Sequence, residues 1–104
     1  MQKVKMEDIG GNIIKDNSQY VLKDNAFGNN LILSSTMLRA NQSTNGHTHA
    51  GQEEVYFFHK GKGEMEIDGE RFPVTEGDVI CINDGDYHRV FNTGVFGLYF
   101  VCVF

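Results

Sequence analysis

The sequence predicts an all-β single domain, a sandwich or a closed barrel, and three observations carry that expectation. Short aromatic and β-branched runs recur from residue 53 onward, glycine or Asn/Asp punctuates almost every break, and no stretch keeps an amphipathic helical period. A chain of 104 residues is large enough for one core and too small for two, so residues 1–104 are expected to form one unit.

The first half reads as extended segments. Lys3 to Lys5, Gln19 to Lys23 and Leu31 to Arg39 are expected strands, broken by Gly10-Gly11, Asp24-Asn25 and Gly28-Asn29-Asn30. Asn41 to Gly46 is a polar loop. Val55 to His59 is an aromatic run, turned by Lys60-Gly61-Lys62-Gly63. Glu64 to Asp68 alternates acid and apolar residues, as a half-buried strand does. Asp68-Gly69 then predicts a type I′ hairpin, because both central positions of that turn need positive φ. Glu70 to Val74 returns with the only proline, Pro73, which an edge strand tolerates. Thr75-Glu76-Gly77 leads into Asp78 to Ile82, and Asn83 to Asp86 leads into Tyr87 to Asn92. After Asn92-Thr93-Gly94, the closing run FGLYFVCVF is apolar at both parities, so protein should cover both of its faces.

Charge narrows the partners. A formal net charge of −5 without a Lys/Arg cluster argues against nucleic acid and anionic membrane, both of which need a concentrated positive surface. Small-molecule or protein partners fit better. The first residues lack the apolar run of a signal peptide and no later segment approaches a membrane span, so a cytoplasmic location is expected. Cys81 and Cys102 sit in apolar β-like runs, where reduced core thiols are expected rather than a disulfide.

The chemistry concentrates in four residues. His47 and His49 lie two apart in GHTH, so on an extended segment both imidazoles point to one face. A carboxylate just downstream and His88 would complete a set of three nitrogens and one oxygen, which suits Fe, Mn, Ni, Zn or Cu better than Ca or Mg. Four protein donors leave coordination positions for water or a bound molecule. Glu53 and Glu54 are neighbours, so strand parity lets only one of them share that face.

These residues resemble the cupin superfamily, whose first motif is G-x5-H-x-H-x3-4-E-x6-G and whose second is G-x5-P-x-G-x2-H-x3-N. His47, His49, Glu54 and Gly61 match the first; Gly77, Gly85, His88 and Asn92 match the second. The register selects Glu54, since Glu53 would put Lys60 at the final glycine. Asn41 replaces the opening glycine, and asparagine is the residue that best tolerates a left-handed backbone in its place. Asn83 replaces the proline, which costs turn rigidity and no metal ligand. The resemblance implies a double-stranded β-helix, the jelly-roll barrel of a small single-domain cupin, holding one divalent metal ion through His47, His49, Glu54 and His88.

Parity extends the expected site. Tyr56 and Phe58 should follow Glu54 inward, and Val90 and Asn92 should follow His88; ordinary filling of the barrel is the competing reading for both aromatics. Tyr56, with its hydroxyl, is the candidate proton donor. Met37 and Arg39 share a parity that can line the mouth. Val55 and Phe57 should face outward and, being apolar, suggest a homodimer, while His59 reads as a surface or interface residue. The expected function is a metal-dependent enzyme acting on a small organic molecule, a dioxygenase with a redox metal or an isomerase or lyase with Zn. The alternatives are a non-enzymatic ligand-binding or sensing module, and a sugar-phosphate isomerase with Arg39 holding the phosphate.

Overall fold

The structure is a computed structural model that describes residues 2–26 and 28–104. It is all-β. A short 3-10 turn, Met6–Asp8, precedes nine strands: β1 (Asn12–Asp16), β2 (Tyr20–Asn25), β3 (Leu33–Leu38), β4 (Glu54–Lys60), β5 (Lys62–Ile67), β6 (Glu70–Thr75), β7 (Val79–Ile82), β8 (His88–Phe91) and β9 (Leu98–Val103). They form two facing antiparallel sheets, a six-stranded one in the order β1-β2-β3-β9-β4-β7 and a three-stranded one in the order β6-β5-β8. No helix among the described residues is long and apolar enough to cross a membrane.

Local chemistry accounts for the second half. Asp68 and Gly69 adopt φ of 48° and 84°, the left-handed pair that a type I′ turn requires, and close the β5–β6 hairpin. Pro73 lies on β6, an edge strand, where its missing N–H costs no ladder bond. The closing run becomes β9, held between β3 and β4 at the middle of the large sheet, which is why it is apolar on both faces.

The first half departs from expectation. Lys3 to Lys5 is not a strand but leads into the 3-10 turn, where Asp8 N–H donates to Lys5 O at 3.1 Å. The outermost strand is instead β1, whose five residues are all exposed and whose sequence NIIKD has no alternation to betray it. Being an edge strand, it is paired through β2 and selected by little burial of its own. The next two strands begin a residue or two later than the composition suggests, at Tyr20 and Leu33.

The two sheets enclose a graded interior. The inward residues of β3, β4 and β9 run from polar to apolar along each strand: Ser34, Thr36, Leu38; Glu54, Tyr56, Phe58; Cys102, Phe100, Leu98. At the apolar end Leu38, Phe58 and Leu98 pack with Met65, Val74 and Val90 from the small sheet, all essentially fully buried. Rigidity thus accumulates at one end and a polar pocket opens at the other. The outer face of the large sheet carries Val55 and Phe57, half-buried, with the 3-10 turn tied to it by Tyr99 Oη donating to Met6 O at 2.9 Å.

The cysteines separate. Both are free, but only Cys102 is in the core; Cys81 is exposed because it pairs with Val55 on the outer face of β7, an edge strand. Burial, with the Glu54 carboxylate nearby, pushes the Cys102 thiol up to about 12. A thiol reagent should therefore titrate one cysteine quickly in the folded protein and the second only on unfolding, and Cys81→Ser should abolish the fast phase.

Candidate metal centre

Glu54 opens β4 with its carboxylate turned inward, while Glu53 is exposed. His88 opens β8 on the opposing sheet and also faces inward, beside Ile67 of β5. His47 and His49 lie in the segment between β3 and β4, outside any strand. They are positioned because that segment runs antiparallel along β8. Asn92 N–H donates to Gln42 O, Thr44 N–H to Val90 O, and His47 and His88 exchange both backbone hydrogen bonds, at 3.1 and 3.0 Å. The next residues are held by Gly85 N–H donating to His49 O and Gly51 N–H to Asp84 Oδ1 at 2.6 Å. Gly46 lets the Tyr87 ring lie against the backbone here: a Cβ at that position would push the ring aside.

The donor atoms converge. Glu54 Oε1 lies 2.5 Å from His49 Nδ1, 3.7 Å from His88 Nε2 and 4.0 Å from His47 Nε2. Two atoms each bound to one ion at ~2.1 Å are ~3 to 4.2 Å apart, so the His88 and His47 separations fit a shared ion and the His49 contact is tighter than an ion between them would leave. His47, His49 and Glu54 offer ligand atoms that lie within 4.8 Å of one another and can hold a metal ion; His88 approaches Glu54 at 3.7 Å but stands outside that set of three. Glu54 Oε1, His49 Nδ1 and His88 Nε2 are buried without a hydrogen-bond partner in the protein, although polar groups so placed normally have one. The 2.5 Å contact lacks the alignment of a hydrogen bond. Orphaned lone pairs that face one another are what a cation would satisfy, so this donor set fits one.

Protonation supports the same use. A carbonyl can only accept, so the 3.0 Å contact of His88 Nδ1 with Asp86 O puts the proton on Nδ1 and leaves the Nε2 lone pair facing Glu54. Burial, then the neighbouring His88, His49 and Lys15 charges, lowers the His47 pKa and favours the neutral imidazole that metals bind. Beside the cluster opens a cavity of about 360 Å³, its wall formed by Lys15, Leu22, Asp24, Ser34, Thr36, Thr44, Asn45, Tyr56, Phe100, Cys102 and Phe104, among others. That volume suits a small organic molecule. Burial, above all, raises the Tyr56 pKa well beyond the usual phenol value, so its hydroxyl keeps its proton.

Comparison with known proteins bears on this geometry. A family model described as cupin domain matches residues 35–104. The chain belongs to the cupin family. Its relatives include an uncharacterized protein of Methanocaldococcus jannaschii, 31% identical over 103 residues that cover 96% of this chain and 82% of that protein. An oxalate-binding protein of Thermotoga maritima is 32% identical over 85 residues, covering 81% of this chain and 70% of that protein. Among solved structures, a predicted oxalate decarboxylase from Thermotoga maritima matches with a TM-score of 0.82 at 23% identity, covering 98% of this chain and 96% of that one. A double-stranded β-helix protein from Klebsiella pneumoniae matches with a TM-score of 0.84 at 16% identity, covering 99% and 88%. At such identities these two structures speak to the fold alone.

The cupin barrel treats the remaining expected site residues unequally. Tyr56 lines the cavity, its ring 5.7 Å from that of His88 and stacked 5.6 Å from Phe100. Phe58 also points inward but is 2% exposed and belongs to the packed end of the core, two residues beyond the cavity wall. Met37 and Arg39 fall outside the cavity, on the outer face of β3 and just past its end, because Ser34, Thr36 and Leu38 take the inward parity. Arg39 is spent on Asn17 O at 3.1 Å and Asp16 at 3.6 Å. His59 is on the outer face of β4, 3.8 Å from Glu7. Lys15 and Asp24 line the cavity unanticipated; the strand that carries Lys15 had no periodicity to mark it.

Asn92 is buried but away from the cavity. Its Nδ2 donates to Leu38 O at 3.0 Å and Phe96 O at 2.8 Å, and its Oδ1 accepts from Gly94 N–H at 2.9 Å, so it ties the end of β3 to the β8–β9 turn. Asn92→Ala leaves those backbone groups unpaired and should cost about 2–3 kcal/mol of stability. A lower denaturation midpoint at unchanged slope checks this, with metal content per folded chain unaltered.

Proposed function

We propose that this cupin holds one divalent transition-metal ion through His47, His49, Glu54 and His88, and that it is a metal-dependent enzyme acting on a small organic molecule in the adjoining cavity. The observation that carries this reading is the set of buried, unpartnered atoms on Glu54, His49 and His88, of which Glu54 and His49 stand in the cavity wall and His88 lies 3.7 Å from Glu54. An ion bound there supplies Lewis acidity, and redox chemistry as well if it is Fe, Mn, Ni or Cu. A redox metal favours dioxygenase chemistry and Zn favours an isomerase or lyase.

The chain's own groups have defined parts in this reading. Tyr56, neutral and desolvated, can donate its hydroxyl proton to a bound molecule. Cys102 remains a thiol and is no nucleophile at neutral pH. Leu22, Phe100 and Phe104 in the wall help exclude water. The sugar-phosphate variant loses its support, because Arg39 is directed to Asp16 and Asn17.

A second reading has its own observation. The Thermotoga maritima relative at 32% identity is called an oxalate-binding protein, which favours capture of a small ligand without turnover. Tyr56→Phe separates the two: an enzyme loses most of its turnover while keeping ligand affinity, and a binding module changes in neither respect beyond a hydrogen bond. The reading also extends to a cytoplasmic homodimer, supported by two free thiols and by Val79, 54% exposed on the outer face beside Phe57.

Elemental analysis of protein purified without an affinity tag tests the metal. The expected result is one transition-metal ion per chain, with His88→Ala weakening retention by at least about tenfold while the circular dichroism of the barrel persists. A folded wild-type chain that takes up no transition metal from an excess would refute the reading.

A further inference from the structure

Strand β1 is bulged, and the bulge decides where one charge goes. Opposite β2, Ile13 pairs with Lys23 and Lys15 pairs with Leu22, so Ile14 is an extra residue without a partner. In a regular ladder Ile14 would face Leu22, and Lys15 would face Val21 on the outer side of the large sheet. The extra residue shifts the alternation by one and turns Lys15 to the inner side, with Leu22. There it lines the cavity together with His47, Thr44 and Asn45.

The exposed Lys15 ammonium has no ion-pair partner among the described residues. Lys15 is the only lysine or arginine among the described residues that line the cavity. The lysine and arginine ion pairs among the described residues are Arg39 with Asp16 and Arg71 with Glu64, and no carboxylate reaches the Lys15 ammonium within 4.0 Å. Asp24 lines the same cavity without pairing with it, so an anionic group is favoured at Lys15 and disfavoured beside Asp24. A cation delivered by a backbone irregularity to the wall of a partly apolar cavity has the chemistry to receive an anion from outside the chain.

We propose that Lys15 is a specificity-determining residue that receives one carboxylate of a small dicarboxylate, whose other carboxylate lies at the metal centre. The second half rests on the metal reading above; the role of Lys15 does not. Lysine is a compact point charge on a flexible stem, suited to one carboxylate oxygen more than to a planar bidentate clamp. The neighbouring Thr44 and Asn45 are polar and can complete the hydrogen bonding of that carboxylate.

The test is calorimetric titration of the tag-free, metal-loaded protein with oxalate, malonate, succinate, malonamide and inorganic phosphate. Wild type, Lys15→Met and Lys15→Arg are compared, with metal content measured on each sample. The expected result is a dicarboxylate that binds wild type, is weakened about tenfold or more by Lys15→Met and less than about threefold by Lys15→Arg, at equal metal content, with malonamide silent. The proposal is overturned if Lys15→Met binds as wild type does, if no dicarboxylate binds, or if malonamide binds as well as malonate. It is overturned in its ligand class if phosphate binds more tightly than every dicarboxylate with the same dependence on Lys15. A wild-type chain that carries no metal yet binds a dicarboxylate through Lys15 keeps the lysine's role and overturns the metal centre. One that carries no metal and binds none overturns both.

Discussion

Two backbone hydrogen bonds hold the candidate centre together: those that His47 and His88 exchange at 3.1 and 3.0 Å. His88 stands on β8 of the small sheet and Glu54 on β4 of the large one, while His47 and His49 belong to neither sheet. The segment that carries them has its own side chains largely in solvent and little apolar surface to bury. What fixes it is main-chain pairing along the otherwise open edge of β8, from Gln42 to His47. The same pairing covers a sheet edge and delivers two imidazoles to a buried carboxylate. Loss of that zipper would take both imidazoles away from the Glu54 carboxylate, whose side chain is 2% exposed with them in place.

The barrel divides its interior between stability and chemistry. Leu38, Phe58, Met65 and Leu98 close one end at interior density, and the strands that present them continue into Thr36, Tyr56 and Phe100 at the cavity. A side chain's role therefore follows its height along the strand as much as its type. Phe58 and Tyr56 share a face and a strand, but the first is packing and the second lines the cavity. Burial at the boundary also sets the protonation of what lies there, keeping the Tyr56 hydroxyl and the Cys102 thiol in their neutral forms.

Much of this was legible in the residues themselves. The β architecture followed from alternating runs and turn residues, and the Asp68-Gly69 hairpin and the Pro73 edge follow rules of backbone geometry that hold before any tertiary contact forms. The left-handed Asn41, with φ of 60°, is of the same kind. Strand β1 was not legible, since five exposed residues without alternation carry no burial signal, and with it went Lys15 and the inward turn of its charge to the cavity. Met37 and Arg39 show the complementary limit: their shared parity was readable, but which parity faces inward was not.

The sequence by itself determined the fold class, the hairpin that joins β5 to β6, and which side chains have the lone pairs to bind a cation, because these depend on local backbone preference and on the chemistry of single residues. Only the tertiary structure decided that Glu54 Oε1 and His88 Nε2 approach to 3.7 Å across two sheets, that Asn92 serves the backbone of Leu38 and Phe96 rather than the cavity, and that Lys15 turns inward. Those outcomes depend on strand register between segments far apart in the chain, and register is set by the summed pairing and burial of whole sheets, to which no single residue holds the key.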